Sequence, residues 1–164
     1  MLTLLLIGML SLAFNIQTVD ASGTIYIRSD GSVDPDTAPI LSVDNVTYTF
    51  TGNINDSIVV ERDNIVVDGA GYTLQGTGAS GSKGISLSDR RNVTIQNTNI
   101  KNFMDGVYLT SSSNVTVSGN NITNNGVGIL LAGSLNNSIS GNNIGNNEVY
   151  GVQLEDFSNY AVIV

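Results

Sequence analysis

The chain has 164 residues, enough for one domain of ordinary size, with 41% hydrophobic residues, 12% charged residues and 18 glycines. Its 6 basic and 14 acidic side chains give a net charge of -8 and no basic run longer than a pair, so it lacks the positive face that nucleic acid requires. Histidine and cysteine are both absent, which excludes disulfides, thiolate nucleophiles, Ser-His triads and every imidazole or thiolate metal site.

The first element, MLTLLLIGMLSLAFNIQTVDASG, carries an apolar run from Leu4 to Phe14. That run is short of the roughly 20 residues that span a bilayer, so residues 1–22 are expected to be a secretory signal cleaved near Ala21. The protein is then secreted, extracellular or displayed at the cell surface. No Lys or Arg precedes Arg28, so the positive start of such signals is missing, and either the true start lies upstream or the reading frame is incomplete. A buried N-terminal helix is the alternative.

Residues 23–56 read as an N-terminal β cap of two or three strands that covers the first coil of a repeating array. An open first coil would expose unpaired backbone groups. Within the cap, Asp30, Asp34 and Asp36 of SDGSVDPD are candidates to gather round calcium, although the Pro-containing segment reads first as a surface turn.

From residue 57 the chain repeats. SIVVERDNIVVDGAGYTLQGTG, from Ser57, is followed by GISLSDRRNVTIQNTNIKNFMD from Gly84, GVYLTSSSNVTVSGNNITNNGV from Gly106, GILLAGSLNNSISGNNIGNNEVY from Gly128 and GVQLEDFSNYAVIV from Gly151. A period of about 22 residues sustained over several copies marks a solenoid. Equivalent positions stay aliphatic: Ile85, Val107, Ile129 and Val152; Leu87, Leu109, Leu131 and Leu154; Ile95, Val117, Ile139 and Val162; Ile100, Ile122 and Ile144. Between them the alternation has period two, so each copy predicts three short strands separated by turns. One coil cannot bury enough to fold alone, whereas parallel stacking at about 4.8 Å merges the aliphatic columns into one core. The fold expected over 57–164 is an all-β, single-stranded, right-handed parallel β-helix. A Gly- and Ser-rich insertion is expected between Gly69 and Gly84, because Asn64 and Asn92 are further apart than the later repeats allow.

Asn92, Asn114, Asn136 and Asn159 recur at one place in successive copies, which predicts an inward ladder of stacked amides. Asn120, Asn121, Asn124 and Asn125 are expected at turns, where Asn and Gly tolerate left-handed backbone angles. The chain stops at Val164 within a strand, with Ala161 to Val164 ready to pair. That predicts a truncated array and self-association through the C-terminal coil.

The G-[IV]-x-L, N-V-T-I and G-N-N-I elements, with the lead-in IVVDGAGYTLQG, resemble the repeats of NosD-like proteins, also described as carbohydrate-binding and sugar-hydrolysis domains. The resemblance spans about residues 24–164. It implies a right-handed parallel β-helix secreted by an archaeon or bacterium, with polysaccharide or cell-envelope glycans as partners. The NosD name also implies a role in copper-centre maturation, but Met1, Met9 and Met104 are the only soft ligands here, so a copper site is set aside.

A carbohydrate-cleaving member of such a fold would set acidic residues together on one outward face. The outward columns Ser86, Tyr108, Leu130, Gln153 and Thr94, Thr116, Ser138, Ala161 contain no carboxylate. Asp89, Asp105, Glu148, Glu155 and Asp156 fall at or near turns in different columns, so no catalytic residue is assigned. Asp68 in VVDGAG reads as a corner residue whose side chain caps the turn. Tyr72, Phe103, Tyr108, Tyr150 and Phe157 scatter over different columns and form no sugar-stacking platform. Six N-x-S/T sequons begin at Asn45, Asn55, Asn92, Asn114, Asn121 and Asn136. The inward column reserves three of them, leaving Asn45, Asn55 and Asn121 as glycosylation candidates. The sequence thus favours a structural, adhesive or glycan-binding module without catalysis, over a polysaccharide lyase or glycoside hydrolase whose site lies partly elsewhere.

Overall fold

The computed structural model describes residues 23–158 and the backbone of 162 and 163; the expected secretory segment and Asn159 lie outside the described residues. The chain opens with β1 (Ile25–Ile27), β2 (Val33–Asp34), β3 (Ile40–Leu41) and β4 (Thr47–Phe50). Coils then succeed one another: β5 (Ile58–Val60), β6 (Ile65–Asp68) and β7 (Thr73–Gln75); β8 (Lys83–Ser88), β9 (Val93–Gln96) and β10 (Asn99–Lys101); β11 (Asp105–Thr110), β12 (Thr116–Ser118) and β13 (Asn121–Thr123). The remaining strands are β14 (Val127–Ala132), β15 (Ser138–Ser140), β16 (Asn143–Gly145), β17 (Tyr150–Glu155) and β18 (Val162–Ile163).

Each coil contributes one strand to each of three sheets. The first runs β17-β14-β11-β8-β5-β1-β2, the second β18-β15-β12-β9-β6-β4-β3, and the third β16-β13-β10-β7. All pairings between coils are parallel and in register, as with Val107 between Ile85 and Ile129 or Ile122 between Ile100 and Ile144. Period-two alternation therefore sends the same side chains inward in every coil. Ile85, Leu87, Ile95, Ile100, Val107, Leu109, Val117, Ile122, Ile129 and Leu131 are fully buried in one continuous core. Each such burial contributes about 1.5–3 kcal/mol, and the stack supplies the neighbours that a lone coil lacks.

Glycine opens each copy for a packing reason. A Cβ on Gly84 would lie 2.3 Å from the Gly106 carbonyl oxygen, and one on Gly106 would lie 2.6 Å from that of Gly128. The repeat glycine is the point where successive coils touch backbone to backbone.

At the N-terminal end the direction of pairing reverses. β2 runs antiparallel along the free edge of β1, and β3 antiparallel along the free edge of β4. Tyr48 and Phe50 fill the interior beneath them, and the Tyr48 hydroxyl donates to the Gly31 carbonyl at 2.9 Å. Arg28 ties the hairpin to the first coil through Asp34 and through Glu61 at 3.2 Å.

Two expectations need correction. The insertion between Gly69 and Gly84 is not one loop: β7 lies inside it. The corner before β7 spans 69–72 where the next coil needs only 97–98, and the corner after it spans 76–82 where the next needs 102–104. The final coil also keeps a different register from that expected. Ser138 pairs with Val162 and Ile139 with Ile163, so Ile163 rather than Val162 takes the backbone register position opposite Ile139. The corner after β17 is one residue longer than the glycine spacing implied.

Candidate functional site

The asparagines divide into sets with different tasks. Asn64, Asn92, Asn114 and Asn136 share a left-handed backbone, with φ of 59, 56, 54 and 56°. They form a true column, but an exposed one at the corner between the first and second sheets. Asn92 Nδ2 donates to Asn64 Oδ1 at 2.8 Å, and that is the one amide-to-amide bond in the column among the described residues. The inward ladder expected for Asn92, Asn114 and Asn136 is thus corrected: each precedes the first inward residue of a second-sheet strand and so faces solvent.

The inward ladder uses Asn120, Asn125, Asn137, Asn142 and Asn147 instead. Asn120 Oδ1 accepts the Thr98 N–H at 3.0 Å, and Asn142 Oδ1 accepts that of Asn120 at 2.9 Å. Asn125 Oδ1 accepts the Phe103 N–H at 3.1 Å, and Asn147 Oδ1 that of Asn125 at 3.0 Å. Asn137 takes the Val115 N–H at 2.9 Å, while Ser112 and Ser134 hydroxyls accept the N–H groups of Arg90 and Ser112, each at 3.1 Å. Corner N–H groups that the sheets leave unpaired are satisfied from the next coil. The doubled asparagines of GNNI were the available signal, because one of the pair must face in when the other faces out.

The outward partners of that pair build the candidate site. At the corner between the second and third sheets, Asn143 Nδ2 donates to Asn121 Oδ1 at 2.7 Å, Asn121 Nδ2 to Asn99 Oδ1 at 3.3 Å, and Asn99 Nδ2 to the Gly71 carbonyl at 2.6 Å. This outer amide ladder borders a shallow groove of about 620 Å³ crossing four successive coils. Gly119 and Gly141 line it, at φ of 66 and 62°, and a Cβ would meet little on either: Asn97 Oδ1 at 3.4 Å and nothing within 4 Å. The equivalent position one coil earlier is Asn97, also left-handed at φ 52°.

Asp68 closes one end of the groove. Its carboxylate accepts from Gln96 Nε2 at 2.8 Å, the Ala70 N–H at 2.8 Å and Asn97 Nδ2 at 3.2 Å. Partial burial pushes its pKa up, but these donors outweigh that and hold it below the usual carboxylate range. The groove therefore combines a fixed negative charge with amides that retain unused donor and acceptor capacity.

The other candidates stay apart. Asp30 is engaged by Ser32 and Asp34 by Arg28, so the three acids of SDGSVDPD do not converge. Among the described residues no group of three or more acidic side chains is placed to hold a metal ion. Phe103 belongs to the core, Phe157 is 89% exposed, and Tyr108 carries the Lys83 ammonium 3.7 Å from its ring centre. Asp105, expected near a turn, lies in β11 beside Lys83 and is buried, and desolvation raises its pKa although Lys83 opposes the shift. Asn45 and Asn55 are exposed, while the Asn121 amide is committed to the outer ladder. Because Asn92, Asn114 and Asn136 are exposed as well, the steric ground for excluding their sequons is also corrected.

Stacked parallel coils with three sheets and laddered corners define a class, the β-solenoid. The family model described as "Right handed beta helix region" matches residues 42–164, and the chain belongs to that family. No curated protein and no solved structure matches the chain.

Proposed function

We propose that this β-helix is a secreted or cell-surface module that binds glycan without cleaving it, through the groove bordered by Asn99, Asn121 and Asn143. The observation that carries this reading is the outer amide ladder. Its members sit one per coil, bond to one another, and keep part of their hydrogen-bonding capacity for a ligand rich in hydroxyl groups. A structural module would need only the inward ladder to hold its corners. The outward one adds a row of polar groups over a groove emptied of side chains by Gly119 and Gly141. Binding of soluble polysaccharides by calorimetry tests the reading, with Asn121→Ala and Asn143→Ala expected to weaken any interaction. Glycan binding unaffected by both variants would place the contact elsewhere.

A second reading, a polysaccharide lyase or glycoside hydrolase, is favoured by one observation: Asp105 is a buried carboxyl with a raised pKa beside Lys83 of the preceding coil. A depolymerisation screen with and without calcium separates the two. Turnover abolished by Asp105→Asn would support the enzyme.

A further inference from the structure

We infer that the groove takes an uncharged, linear polysaccharide lying parallel to the long axis of the solenoid, in contact with all four coils from Asp68 to Asn143. The inference rests on the glycan-binding reading and specifies orientation, length and charge of the ligand.

Orientation follows from the repeat. Asn99, Asn121 and Asn143 are consecutive rungs in register, so chemically equivalent amides recur every ~4.8 Å along the stack. An extended pyranose chain advances by a comparable distance per unit, so successive sugars laid along the axis meet the same amide in turn. A chain laid across the stack would meet one amide and then leave the groove. The column of Asn97, Gly119 and Gly141 points the same way, because the two glycines leave the path bare over the later coils while the Asn97 amide is drawn onto the Asp68 carboxylate, 3.2 Å away, at the earlier end.

Length follows from the lining. Four coils at ~4.8 Å put the outermost rungs roughly 14 Å apart, which accommodates a short oligosaccharide and leaves a monosaccharide on a single rung. Each added unit gains neutral hydrogen bonds of ordinary strength, which corresponds to a rise in affinity of about three- to tenfold per unit until the groove is filled.

Charge follows from Asp68 and its surroundings. Its carboxylate is ionised at neutral pH, and no Lys or Arg is among the residues lining the groove. A chain of net charge -8 adds a repulsive background. A polyuronate would bring a carboxylate to every rung without a cation to meet it, whereas neutral hydroxyls bond both to the amides and to Asp68.

Isothermal titration of the whole chain with a neutral oligosaccharide series, from mono- to hexasaccharide, and with a uronate series of matched length, tests each part. The expected result is affinity that climbs to about the tetrasaccharide and then levels, with uronates at least tenfold weaker at low ionic strength. Gly119→Asn and Gly141→Asn fill the path with a residue that Asn97 shows this corner can hold, and should abolish the gain with length while leaving the circular dichroism unchanged. Asp68→Asn should narrow the gap between neutral and uronate ligands. If either glycine variant fails to fold, the length series and Asp68→Asn still decide. Neutral glycan binding with no length dependence, or equal uronate binding, would overturn the inference and leave the glycan-binding reading standing. No binding by any member of either series would overturn both.

Discussion

Asn120 joins two coils through both ends of its amide: Nδ2 donates to the Ile95 carbonyl at 3.0 Å, and Oδ1 accepts the Thr98 N–H at 3.0 Å. Asn120 is almost fully buried, so Asn120→Ala orphans a carbonyl and an N–H that water cannot reach. Each orphaned group costs about 1–3 kcal/mol. Urea unfolding should show a midpoint lowered accordingly, with an unchanged slope. Asn114→Gly is the matched control. Asn114 is exposed with φ 54°, an angle glycine adopts freely, so its midpoint should move by less than about 1 kcal/mol equivalent.

Gly106→Ala should be among the most damaging substitutions in the chain, although it adds only a methyl group. The new carbon would sit 2.6 Å from the Gly128 carbonyl oxygen, and backbone cannot swing aside as a side chain can. Overpacking of this kind costs at least about 1–3 kcal/mol. The expected readout is loss of soluble, folded protein or a strongly lowered melting temperature. Wild-type stability would show that the coils can separate at this point without penalty.

Leu109→Ala tests whether the aliphatic column is a single packed core. Leu109 is fully buried and pairs with Leu87 and Leu131 on either side. A cavity there should cost about 2–5 kcal/mol. Leu154, at the same place in the last described coil and 44% exposed, should lose far less on the same truncation. Equal losses at the two positions would contradict the difference in burial between Leu109 and Leu154.

Asp105→Asn should make stability less dependent on pH in one direction. Desolvation raises the folded-state pKa of Asp105, Lys83 lowers it in part, and Glu155 adds a smaller upward push. Below pH ~4 the carboxyl is protonated in folded and unfolded chains alike, and it carries no penalty. As pH rises, the unfolded chain ionises first, so stability falls until the folded pKa is passed and then stays lowered. The variant escapes that loss. It should be more stable than wild type near neutral pH, and the difference should close below pH ~4. Carboxylates held low, such as Asp68, act in the opposite sense but cancel between the two proteins.

The repeat made the coils legible because it is written in aliphatic residues at fixed spacing, and Leu87, Leu109 and Leu131 do lie over one another. Polar residues were harder to orient. In GNNI the two asparagines are chemically identical, and only the corner geometry decides that Asn120 turns in and Asn121 turns out. Asn92 and Asn114 misled because repetition looked like inward packing, when a left-handed corner repeats for backbone reasons alone. The groove was not legible either. It depends on the absence of side chains at Gly119 and Gly141, and these glycines read equally well as ordinary turn residues. The slip that puts Ile163 beside Ile139 arose because glycine spacing reports the start of a coil and not the length of its later corners.

The reversed strands β2 and β3 give the rod a blind end. Each is only two residues long and points against the grain of the stack, so a stray copy arriving there finds neither the length nor the hydrogen-bond spacing that a parallel winding requires. Among the described residues, that face therefore offers no parallel edge of β1 or β4 onto which a further winding could dock.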